Sequence, residues 1–153
     1  MMLDSRHEDR LDRIEQRLRC CQVISREAMS ELIAAACVRS AALNPAAKAS
    51  LERLIEAGAW VDAALALVAL ELPQWKLRRL VYADGEWLCS LSRQPNLPLE
   101  LDDSAEGNHE SLPMAILMAL VAARRTAPAT ATRSLLPRVS AGRDWVVCCD
   151  DFA

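Results

Sequence analysis

The chain has 153 residues, a net charge of -3 from 18 basic and 21 acidic side chains, and 52% apolar but only 4% aromatic residues. That length fits one domain with room for an appendage, and the apolar content with low net charge excludes a wholly disordered chain. An isoelectric point near 5.4 argues against a strongly basic nucleic-acid binder, and 4 Gly with 7 Pro exclude a collagen-like chain.

Alanine and leucine supply 49 residues (26 and 23), which favours helix. Arginine outnumbers lysine 16 to 2, as a GC-rich coding sequence would produce. Residues 4–19 are charged throughout, where a secretory leader would need an apolar stretch. No apolar run reaches the ~18–20 residues that span a bilayer. The expectation is a soluble, cytoplasmic protein with no membrane partner. Six cysteines include two vicinal pairs, Cys20-Cys21 and Cys148-Cys149. Neighbouring residues point to different faces and make poor paired metal ligands, and no C-x-x-C spacing occurs. They read as reduced, small apolar side chains.

In chain order, residues 6–21 predict a surface helix. Leu11, Ile14, Leu18 and Cys21 follow the a/d spacing of a coiled coil over about two heptads. Two readings stand side by side: a self-association region extending over 6–42, and a helix packed on its own domain. Ser25 is a cap for a second helix with Met29, Leu32, Ile33, Ala36 and Cys37 inward. The alternative is one long helix over 8–42. Asn44-Pro45 opens another helix, Gly58 ends or kinks it, and Pro73 stops the run. Because 59–72 carries only Asp62 and Glu71 as charges, that helix is expected at the centre of the fold.

The sharpest local signal is Asp84-Gly85 between two strand-like runs, Lys76–Tyr82 and Glu86–Arg93. Asp-Gly suits a two-residue type I′ hairpin, whose loop positions both need positive φ. The register then sets Ala83 opposite Glu86, Tyr82 opposite Trp87, Leu80 opposite Cys89 and Arg78 opposite Leu91. The face with the Tyr82–Trp87 pair should meet the helices; Leu77, Arg79, Val81, Leu88, Ser90 and Ser92 take the other. Residues 94–109 read as an acidic loop, with Leu97, Leu99 and Leu101 alternating as an edge strand would. Ser111 or Leu112 then starts a last helix to about Arg125. Residues 126–144 read as a flexible basic segment. Trp145–Cys149 reads as a short strand able to join an open hairpin edge or a partner's edge.

No phosphate-cradling glycine loop, G-x-S-x-G or H-E-x-x-H occurs. His109 stands beside Glu110 and near Asp102 and Asp103, the residue types that hold a divalent metal or move protons. The competing reading is a solvated histidine near a helix start. Cys89 reads as core and not as a nucleophile. Trp60, Trp75 and Trp87 read as packing residues, whereas Trp145 is the candidate anchor on a partner. The acidic stretch (Glu100, Asp102, Asp103, Glu106, Glu110) and the basic one (Arg124, Arg125, Arg133, Arg138, Arg143) invite contact with each other.

The order helix, strand, Asp-Gly, strand, acidic loop, helix over about residues 50–125 resembles small phage-type α-β-β-α sandwich domains. The residues behind it are Glu86-Trp87-Leu88-Cys89 and Glu110-Ser111-Leu112-Pro113-Met114-Ala115-Ile116. The resemblance implies a compact non-catalytic module. Otherwise the chain looks like a bacterial protein.

These readings give a helix-dominated α+β fold with three to five helices packed on one antiparallel β-hairpin. Residues 1–43 form a charged helical segment, 44–125 the core domain, and 126–153 a basic segment with a tail. The function expected is a non-enzymatic protein-interaction, adaptor or regulatory module that self-associates or binds a protein partner through Leu11, Ile14, Leu18 and Trp145, with no cofactor. The alternative is a metal-binding protein or enzyme using His109 with Asp102, Asp103 or Glu110. A third reading, nucleic-acid binding through 124–143, is disfavoured by the acidic balance.

Overall fold

In this computed structural model the described residues are 2–36 and 45–126. They form a helix-dominated α+β fold of five helices and one three-stranded antiparallel sheet. The helices are α1 (Met2–Cys20), α2 (Arg26–Ala36), α3 (Pro45–Glu56), α4 (Trp60–Glu71) and α5 (Leu112–Thr126). The strands are β1 (Lys76–Ala83), β2 (Glu86–Ser92) and β3 (Ser104–His109), in the order β1-β2-β3. The expected cap at Asn44, the flexible basic segment and the tail with Trp145 and Cys148-Cys149 lie outside the described residues.

The breaks follow local chemistry. The Ser25 Oγ accepts from the Ala28 N–H at 3.1 Å, satisfying a free donor at the start of α2, so 8–42 is not one helix. Gly58, at φ +69°, takes the left-handed conformation that ends α3. Asp84 and Gly85 both have positive φ (54° and 87°), as the type I′ turn requires.

The register follows the expected pairing from Ala83–Glu86 back to Leu80–Cys89, then slips at a bulge between Leu77 and Arg79. Leu77, not Arg78, therefore lies opposite Leu91. The extra residue moves Leu77 to the side of the sheet that faces the helices and frees Arg78 to point elsewhere.

Two further expectations are corrected. The acidic stretch is not all loop: 99–101 is a 3-10 turn, not an edge strand, and 104–109 is the third strand, so the sheet exceeds a hairpin. The central helix is α5, in which Met114 to Val121 and Ala123 are buried. It lies between the sheet on one side and α4 and α1 on the other. α4 buries Ala63, Ala64, Leu67, Val68 and Glu71, while Trp60, Val61, Leu65, Ala66 and Leu70 are only partly covered.

The core is continuous from α1 to α5. Leu11, Leu18, Met29 and Leu32 share it with Leu51, Leu67, Cys89, Leu91 and Leu117, so packing shows no break between 1–43 and the 44–125 unit. Among the described residues no helix is long and apolar enough to cross a membrane.

Candidate interaction edge

Residue size places α5 over one side of the sheet. Strands lie about 4.8 Å apart and a helix with its side chains is about 10 Å across, so one helix covers roughly two strands. The residues of β3 that point toward α5 are Ala105 and Gly107, both buried. At Gly107 the helix backbone comes so close that an added Cβ would sit 2.3 Å from the Ala119 nitrogen and 2.5 Å from the Ala115 oxygen. Small residues on both surfaces thus draw α5 onto β3 and β2.

β1 is left overhanging. Its substantial contacts are with β2 alone. On the helix side, Leu77 is 44% exposed and Leu80 36%, although their cross-strand partners Leu91 and Cys89 are fully buried. Tyr82 is 58% exposed and stacks obliquely on Trp87, ring centres 5.1 Å apart. The strand carries Lys76, Arg78 and Arg79 and no acid. Arg78 donates to the Asp102 carboxylate and to the Leu97 carbonyl at 2.7 Å. Among the described residues Lys76 and Arg79 make no ion pair and are exposed. β1 therefore offers an apolar row, two unspent cations and the open hydrogen-bonding side of a terminal strand.

The loop after β2 is fastened to this strand. The Ser92 hydroxyl and the Arg78 guanidinium hold the Asp102 carboxyl below the ordinary aspartate range, with a Gln94 backbone N–H adding to them. Arg93 lies over the Trp75 ring, 4.9 Å from its centre. These contacts hold the bulge in place, and with it the outward setting of Leu77.

The structure separates the residues of the metal reading. Asp102 is bound to Arg78 and Ser92 at one end of β3, whereas His109 stands at the other end, roughly 16 Å or more along an extended strand. The His109 Nδ1 accepts from the Ser111 N–H at 2.9 Å, beside the first turn of α5. His109 and Glu110 line a polar hollow of about 350 Å³ with Arg19, Cys20, Gln22, Glu86 and Asn108; Asp102 and Asp103 do not. Among the described residues no group of three His, Cys, Asp or Glu could hold a metal ion. Burial pushes the Cys89 thiol up to about 11, so at neutral pH it is a protonated core residue.

The α1 stripe is spent internally. Leu11 and Leu18 are 1% and 4% exposed, and Ile14 is half-buried at an apolar hollow of about 730 Å³ between α1 and α2. A buried leucine contributes about 1.5–3 kcal/mol, which a coiled coil through these residues would first forfeit. Arg125 bonds to Asp12 and Glu15 of α1, not to the acidic stretch. Trp145 lies outside the described residues.

Sequence reasoning missed the overhang because coverage is a tertiary property. The available signal was the cation-rich composition of β1 beside a bulky apolar row. No protein-family model, curated protein or solved structure matches this chain.

Proposed function

We propose that this chain is a non-enzymatic protein-interaction module, a small adaptor or regulator, and that the outer edge of β1 is its docking surface. The observation that carries the reading is the exposure of Leu77, Leu80 and Tyr82 along a terminal strand whose cations Lys76 and Arg79 have no partner among the described residues. An extended segment with apolar and acidic residues suits such an edge: its backbone extends the sheet, its apolar side chains cover the row, and its acids meet the cations. A second copy of β1 would bring two cationic strands together and suits it less. Free thiols at Cys20, Cys21 and Cys89 fit a reducing compartment, and we place the protein in the cytoplasm.

The test compares proteins retained from a cell extract by the wild type and by a Leu80→Lys/Tyr82→Lys variant. Retention of a defined partner by the wild type and its loss in the variant is expected. Equal retention by both would remove β1 from the reading.

A further inference from the structure

We propose that the β1 edge is held by this chain's own segment Asp144–Asp151, docking as a fourth strand that a partner must displace. The inference rests on the reading of β1 as the docking edge and names its regulation. The segment lies outside the described residues, and three observations lead to it.

The first is charge. Asp144-Trp145-Val146-Val147-Cys148-Cys149-Asp150-Asp151 is an apolar run bracketed by three acids. β1 is an apolar row with three cations and no acid, two of the cations being unspent. The like-charge penalty that disfavours a second β1 becomes an attraction here.

The second is reach. Eighteen residues, 127–144, separate the end of α5 from Trp145. Extended, they cover at most about 60 Å, whereas the whole sheet is only about 10 Å from β1 to β3. The tether therefore does not limit docking. A tethered segment also acts at an effective concentration near the millimolar range, far above a free second copy at micromolar protein.

The third is side-chain period. Along an extended segment Trp145, Val147 and Cys149 share one face. In a docked register that face lies beside Leu77, Leu80 and Tyr82 and covers the row that α5 leaves open. Partner binding is then an exchange of one acidic, apolar strand for another, and affinity depends on how readily the segment leaves.

Hydrogen exchange on the full chain tests this. The amides of residues 76–83 are compared between the wild type and Val147→Pro, which removes a ladder donor without touching the described core. Exchange at least about tenfold slower in the wild type, at every protein concentration, is expected. Lys76→Glu/Arg79→Glu is expected to speed that exchange, and adding Asp144→Arg/Asp150→Arg/Asp151→Arg to restore it. Equal rates in the wild type and Val147→Pro would overturn the proposal. So would protection that grows with protein concentration, which would assign the edge to a second copy. A synthetic peptide of residues 143–152, added to Val147→Pro under reducing conditions, separates the two ideas if the proposal fails. Slowed β1 exchange would leave the docking edge standing without its tether, and unchanged exchange would remove both.

Discussion

The two borders of the sheet are built on opposite principles. At β3 the inward residues are Ala105 and Gly107, nearly without side chains, and a helix rests on them almost backbone to backbone. At β1 the inward residues are Leu77, Leu80 and Tyr82, large and apolar, and nothing among the described residues rests on them. More hydrophobic surface has thus received less cover. Covering a strand depends on how closely a helix can approach as well as on how apolar the strand is. Placing α5 over β3 left β1 as the side of the molecule where apolar surface and free cations remain available.

The largest blow to this contrast should come at Gly107. Gly107→Val would push atoms into the α5 backbone, which cannot retreat as a flexible side chain would. A loss of about 3–5 kcal/mol is expected, read as a fall in denaturant midpoint or outright failure to fold. A melting curve close to the wild type would mean that α5 does not sit as described.

A gentler comparison uses the facing pair Leu91 and Leu77. Leu91→Ala removes a fully buried side chain and should cost about 2–4 kcal/mol, whereas Leu77→Ala should stay within about 0.5 kcal/mol. Equal losses in urea titrations would show that the β1 row is covered after all.

The smallest effect concerns the loop fastened to β1. Asp102 has its pKa lowered by folding, so its contribution is present above the unfolded aspartate pKa, about 3.9, and is lost as pH falls through the lower folded value. Amides of residues 93–103 should lose protection in acid before those of β2. In Asp102→Asn that protection should be weaker at neutral pH and lose its acid step. An unchanged acid profile in the variant would assign the step to another group.

Much of the fold was legible where a residue does one local job. Ser25 caps, Pro45 starts, Gly58 and Pro73 stop, and Asp84-Gly85 reverses the chain. The reading failed where the signal was smallness or shape. β3 has no bulky alternating residues because its inward positions must be small, so its acids made it look like loop. The helix over 59–72 looked central from its apolar surface, yet α5 took that place because it fits the strands. A turn sets register only near itself, and the bulge at Arg78 lies six residues from the Asp84 turn. The α1 stripe was read in two ways, and the packing of Leu11 and Leu18 favours the reading in which α1 serves its own domain. Of the interaction residues named from sequence, none lies on β1, because which strand a helix leaves bare is decided only when the layers assemble.

The most direct measurement takes a partner retained by the wild type and determines its affinity for the wild type and for Leu80→Lys/Tyr82→Lys, with the melting temperature of each as control. The account predicts binding weakened at least about tenfold, a change of about 1.4 kcal/mol, with melting unchanged because both side chains are exposed. Equal affinity for the two proteins would contradict it.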